Sequence, residues 1–257
     1  ETVTDENGEY IFDGLTPGDY TVSVEIPTDL EATPADQTTD DLDSDIDETG
    51  EMPTETLTSG EDNVDFDGGL YNPASISNYV WLDDNADGVQ DASEEGVEGV
   101  TVNLTGTTGT GEAVTAETVT DENGEYIFDD LAPGDYTVSV EIPTGLEASP
   151  ADETTDDLDS DIDAAGLMPT ETLTSGEDNV DYDAGIYEAA SISNYVWEDT
   201  NGDGVQDASE EGIEGVTVNL TGTTGNGTPV TAETVTDENG EYIFDGLTPG
   251  DYTVSVE

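Results

Sequence analysis

The chain has 257 residues, no Lys, Arg, His or Cys, and 66 Asp and Glu, giving a formal charge of -66. Those absences exclude disulfides, thiolate and imidazole chemistry, the usual zinc, copper and iron sites, Schiff bases and Lys–Asn isopeptide crosslinks. They also leave no basic group to hold phosphate, so nucleic acid and anionic membranes are repelled rather than bound.

High charge with modest hydrophobicity commonly marks disorder, but here the apolar residues are organised. "ETVTDENGEYIFD" starts at Glu1, Glu117 and Glu233, and "SISNYVW" starts at Ser75 and Ser191, a shared period of 116. Residues 75–141 and 191–257 differ at nine of 67 positions, which makes the chain a tandem array. It divides into the C-terminal part of one repeat at 1–74, a complete repeat at 75–190 and the N-terminal part of a third at 191–257. Both ends fall inside a repeat, so we expect a window from a longer, single-file fibre. Its linkers, at Asn72–Ser75 and Glu188–Ser191, are short enough that neighbouring repeats nearly touch.

Residues 1–74 match 117–190 and carry an acidic run with Asp41, Asp43, Asp45 and Asp47. In the complete repeat the spacing predicts a strand over Ile76–Leu82, an acidic loop, and a strand over Gly99–Gly106, where Val100, Val102 and Leu104 alternate with polar residues. Strands follow at Ala113–Thr120 and Glu125–Phe128, joined through the Asn123–Gly124 turn. Another follows at Asp135–Ile142, after the Pro133–Gly134 turn. An irregular acidic stretch runs from about Pro143 to Gly166, and the last strands lie near Thr170–Thr174 and Asn179–Tyr187. No window has helical periodicity, and no apolar run approaches the roughly 20 residues of a membrane span, so direct membrane insertion is not expected. The predicted fold is all-β: tandem immunoglobulin-like antiparallel β-sandwiches.

The loop after the first strand carries the chemistry. In "DDNADGVQDASE", Asp83, Asn85 and Asp87 stand at positions 1, 3 and 5, Gly88 at 6, Val89 at 7, Asp91 at 9 and Glu94 at 12. This is the spacing of an EF-hand calcium loop, in which alternate residues turn oxygen inward, the glycine permits a sharp turn and position 7 needs only its carbonyl. Ca2+ is the expected ion, because this many hard oxygen donors suit it better than magnesium. The third repeat preserves every ligand type, in Asp199, Asn201, Asp203, Val205, Asp207 and Glu210. The flanks read as strands, so the loop is present without the helices of an EF-hand. A second cation site is expected on Asp157, Asp159, Asp161 and Asp163, which share a parity opposite Leu158 and Ile162, with Asp41, Asp43, Asp45 and Asp47 as counterparts. Asp121 and Asn123 read first as turn residues, Asp181 and Asp183 as weaker ligand candidates, and Trp81 and Trp197 as core anchors.

In order and wording, "SISNYVWLDDNADGVQDASEEGVEGVTVNL", "TVTDENGEYIFDDLAPGDYTVSV", "DLDSDID" and "NVDYDAGIY" resemble the B repeats of serine–aspartate repeat (Sdr) surface proteins of Gram-positive bacteria. Similar modules occur in the collagen-adhesin B-type superfamily. The resemblance implies a β-sandwich, several structural calcium ions per repeat, an extracellular cell-surface location and service as a rigid stalk. The expected function is therefore a structural module of a calcium-stabilised filament, with neighbouring repeats as partners and lateral self-association through calcium. The alternative is an adhesin repeat that binds a surface ligand directly, although no large apolar patch is visible in the sequence. An enzyme is not expected, since no catalytic group besides carboxylates exists.

Overall fold

Strand formation along this chain follows the supply of pairing partners. The structure is a computed structural model that describes residues 1–39, 42–155 and 158–257. It contains two compact units, Glu1–Pro73 and Ala74–Glu257. In the first, β1 (Gly18–Tyr20), β2 (Glu31–Ala32), β3 (Glu55–Leu57) and β4 (Leu70–Tyr71) pair as β1–β3 and β2–β4, near the buried Ile46 and Met52.

The second unit opens with nine strands: β5 (Ala74–Leu82), β6 (Thr101–Thr108), β7 (Ala113–Val119), β8 (Glu125–Leu131), β9 (Gly134–Val140), β10 (Leu146–Ala148), β11 (Leu167–Leu173), β12 (Asp178–Asn179) and β13 (Ala184–Glu188). One sheet runs β10-β13-β5-β12, with β8 also on β5, and the other runs β11-β9-β6-β7. Period-two alternation turns Ile76, Val80, Tyr126 and Phe128 of the first sheet, and Val102, Leu104, Tyr136 and Val138 of the second, into one shared core. The unit continues with β14 (Ala190–Tyr195), β15 (Thr217–Thr224), β16 (Pro229–Val235), β17 (Glu241–Leu247) and β18 (Gly250–Val256). These repeat β5 to β9 around Val218, Leu220, Phe244 and Leu247.

The fold class agrees with the expectation: the described residues are all-β and sandwich-like, without a helix. Three details differ. β12 and β13 join β5 in parallel, not antiparallel, because the chain crosses back over the sandwich before pairing with its first strand. The stretch read as irregular contains β10, which finds a partner in β13. The strand expected over Asn179–Tyr187 breaks into β12 and β13, with Asp181 and Asp183 in the gap.

Identical sequence takes different structure in the two units. Residues 233–257 repeat 1–25 letter for letter, yet the former supply the last three residues of β16 and all of β17 and β18, and the latter only β1. The difference is tertiary: β14 and β15 are present to pair with β17, β16 and β18, and residues 1–73 contain no counterpart of them. Phe12 is accordingly 41% exposed where Phe128 is 5% exposed. Strand propensity here is the propensity to fit a neighbour.

Candidate metal centre

The acidic loop is held between an anchor on the sheet and a clamp of irregular chain. At its base the Leu82 N–H donates to the Glu95 carbonyl and the Asp83 N–H to the Ile186 carbonyl, each at 2.9 Å. At its far side the Gln90 N–H donates to Leu158 at 2.7 Å, and the Ser160 N–H to Gly88 at 3.0 Å. A segment some 70 residues downstream therefore clamps the loop. Gly88 lies at φ 82°, and a Cβ there would stand 2.2 Å from the Pro150 carbonyl oxygen. Only glycine meets both requirements.

Inside this frame the predicted ligands converge. Asp83 has no solvent exposure; its Oδ2 accepts the Gly88 N–H at 2.9 Å, and its Oδ1 is buried without a hydrogen-bond partner. The Asn85 amide donates to Asp87 at 3.1 Å and to Asp91 at 3.4 Å, bringing three of the side chains together. Glu94 accepts the Asp84 and Asp91 N–H groups at 3.0 and 2.9 Å. Burial foremost, together with the Asp83 and Asp91 carboxylates, pushes the Glu94 carboxyl above its usual range, against those two hydrogen bonds. A chain without Lys or Arg offers these carboxylates only N–H dipoles. Among the described residues no three carboxylates form a ready-made ion cage. What the loop offers instead is mixed oxygen: carboxylates, the Asn85 amide and the Val89 carbonyl. The orphaned Asp83 oxygen, the crowded Glu94 and the all-oxygen donor set fit a hard divalent cation.

The loop at 199–210 repeats the network. Asp199 accepts from Gly202 and Gly204 at 2.6 and 2.8 Å, the Asn201 amide donates to Asp207 at 3.0 Å, and Glu210 accepts from Thr200 and Asp207 at 2.8 and 3.0 Å. The Gly204 N–H, foremost, holds the Asp199 carboxyl below its usual range, and the Asp207 N–H does the same for Glu210. Residues 191–257 contain no counterpart of the Leu158–Ser160 clamp, and Val205 is 59% exposed.

The second acidic cluster is assembled differently from its spacing. Asp157 and Asp41 lie outside the described residues. Asp159 is 2% exposed and accepts the Thr154 N–H at 2.6 Å. Asp161 accepts the Asp183 N–H at 2.7 Å and donates its own N–H to the Asp183 carbonyl at 2.9 Å. Asp163 instead caps a turn, accepting from Ala165 and Leu167 at 2.8 and 3.0 Å. Asp121 does the same for Asn123 and Glu125. The carboxylates that share an environment are thus Asp159, Asp161, Asp181 and Asp183. Sequence reading underrated the last pair, because a backbone pairing between distant segments brings it in. Burial, then Asp161, Asp181 and Asp159, pushes the Asp183 carboxyl up to about 8, while the Asn78 amide, at 2.9 Å, acts to lower it. In the first unit Asp43 accepts from Thr38 at 2.6 Å, Asp45 from Asp67 at 2.7 Å, and Asp47 caps a turn through Thr49 and Glu51.

Asp183 yields a pH expectation. Its folded pKa of about 8 exceeds an unfolded value of about 3.9, so the folded state binds the extra proton between them. In cation-free buffer, stability should rise as pH falls from about 8 towards about 4. General charge repulsion gives the same sign, so Asp183→Asn is the control: its melting temperature should depend less on pH. Equal slopes for parent and variant would contradict the assignment.

Sequence reading also missed an apolar groove. Val119, Ile127 and Val180 are each more than half exposed. With Tyr79 and Ser77 they line a groove of about 860 Å³ flanked by Asp121 and Glu125. Val235 and Ile243 line a groove of about 710 Å³ at the equivalent place in the third repeat. The signal was the parity of Ile127, opposite Tyr126 and Phe128. Trp81 is a core residue, as expected, whereas Trp197 is only partly buried and lies outside the core of its repeat.

The family model of the SdrD B-like domain matches residues 1–70, 74–186 and 190–257. Serine-aspartate repeat-containing protein F of Staphylococcus epidermidis is 40% identical over 259 residues, covering all of this chain and 14% of that protein. Serine-aspartate repeat-containing protein E of Staphylococcus aureus (strain USA300) is 41% identical, covering 99% of this chain and 21% of that protein. The chain thus spans about a fifth or less of the length of these relatives. Among solved structures, a streptococcal ancillary pilin aligns at 14% identity with a TM-score of 0.32, covering 94% of this chain and 66% of that one. With the family model matched along nearly the whole sequence, the chain belongs to the SdrD B-like domain family.

Proposed function

We propose that this chain is a stalk segment whose repeats are held rigid by calcium in the loops at 83–94 and 199–210, with a second cation site around Asp159, Asp161, Asp181 and Asp183. The observation that carries the reading is Asp83: a carboxylate with no solvent exposure, one of whose oxygens has no partner. An uncompensated buried charge is costly, and the loop around it supplies the other oxygens that a divalent ion needs. Asp83, Asn85, Asp87, the Val89 carbonyl, Asp91 and Glu94 would hold the ion. It supplies positive charge that neutralises a crowded acidic loop and fixes the loop against the sheets.

Calorimetric titration of the full chain tests this. Calcium should bind at both loops, and Asp83→Ala should abolish one class of site while leaving the loop at 199–210 loaded. A parent that takes up no calcium at millimolar concentration would refute the reading. Direct adhesion is a second reading, favoured by the Val119–Ile127 groove and its recurrence. Its acidic rim calls for an extended basic peptide, and failure of such a peptide to bind at physiological salt would remove it.

A further inference from the structure

The turn between β15 and β16, at Thr224–Thr228, rests on the acidic loop of the preceding repeat. A Cβ built on Gly225 would lie 2.0 Å from the Asn85 carbonyl oxygen and 2.9 Å from the Ala86 carbonyl carbon. Ala86 is wholly buried, while Asp84, Asn85 and Asp91 around it are exposed. Two hydrogen bonds flank this contact. The Asn226 amide donates to Glu153 at 2.8 Å, and the Tyr187 and Thr248 hydroxyls share one of 3.2 Å. A single residue, Ala189, separates β13 from β14, so little slack exists between the partners. The turn also suits an acidic platform: residues 215–232 contain no charged side chain.

We propose that the acidic loop is a docking platform for the following copy of the repeat, so that consecutive repeats are fixed by a loop–turn contact as well as by their linker. Gly225 is the contact residue because backbone meets backbone there, and backbone cannot step aside for a side chain. The repeat's own fold does not require glycine at this place. At Gly109, the counterpart in the preceding repeat, a Cβ would meet only the Pro133 carbonyl, at 3.6 Å. The proposal rests on the stalk reading but not on calcium as its ion.

Because the chain has no Cys, spin labels at Glu117→Cys and Glu233→Cys, both exposed strand positions, report the geometry between the repeats cleanly. Pulsed dipolar spectroscopy on the full chain should give one narrow distance distribution. Gly225→Val should broaden it by at least about twofold, since relative motion is the default once a domain contact is lost, whereas Gly109→Val should leave it narrow. Asn226→Asp, which sets a carboxylate against Glu153 without adding a Cβ to the turn, should also broaden it. This second variant decides the matter if Gly225→Val loses its β circular dichroism. A narrow distribution in the folded variants, or a broad one in the parent, would overturn the proposal. Calcium titration of the same samples separates the two ideas: variants that bind calcium and stay narrow reject only the docking, while a narrow parent that binds none rejects only the calcium reading.

Discussion

Chelating calcium is expected to lower the melting temperature by about 10 °C, and Asp83→Asn is expected to change sign with the ion. A site with a Kd of about 10⁻⁵ M at about 1 mM calcium adds about 2.7 kcal/mol, a large share of the roughly 5–15 kcal/mol that a domain has. For domains near this size each kcal/mol moves the midpoint by about 4 °C. In calcium, Asp83→Asn should therefore lower the melting temperature nearly as much as chelation does. Without calcium the same substitution should raise it. The amide oxygen keeps the bond from the Gly88 N–H, now 2.9 Å, and the buried charge with its orphaned oxygen is gone. Differential scanning calorimetry in calcium and in EGTA reads both signs. A variant that is equally destabilised in both buffers would show Asp83 to be a turn acceptor only.

Gly88→Ala should be among the most damaging single substitutions in the loop. Forcing an alanine to φ 82° costs about 1–2 kcal/mol, and the clash 2.2 Å from the Pro150 carbonyl forces the clamp segment away. That movement breaks the Ser160-to-Gly88 bond and exposes Asp83. We expect a total loss of about 3 kcal/mol or more and weaker calcium binding. Gly204→Ala is the internal control: it shares the positive φ, at 77°, but a Cβ there meets nothing within 4 Å. It should cost only the conformational part. Denaturant unfolding with parallel calcium titration compares them, and equal losses at the two glycines would contradict the clamp.

Local pattern carried most of the fold. The alternation of Val100, Val102 and Leu104, and of Tyr136, Val138 and Val140, located β6 and β9 because a sandwich buries every second residue. The convergence of the loop's polar side chains was legible for a similar reason, since twelve consecutive residues hold all of them. What depended on distant segments was not legible. Asp183 meets Asp161 through a pairing across more than 20 residues, and Asp163 leaves the cluster because its carboxylate caps the turn beside it. Strict parity failed at Leu158, which is exposed, and at Asp159 and Ser160, which are buried in succession, because that segment runs as irregular chain under the loop. The first 25 residues mark the limit most clearly, since their sequence is that of the end of β16, β17 and β18 and their structure is not.

That identity bears on how the array refolds. β15 recognises β18 through a register from Val218–Val256 to Thr224–Gly250, and residues 18–24 offer the same letters as 250–256. After denaturation nothing in the side chains tells β15 which copy to take. Only loop-closure entropy does, and it favours the near copy weakly, because closure cost grows only logarithmically with length. Repeats this alike are therefore exposed to strand exchange, within one chain and between chains at high concentration.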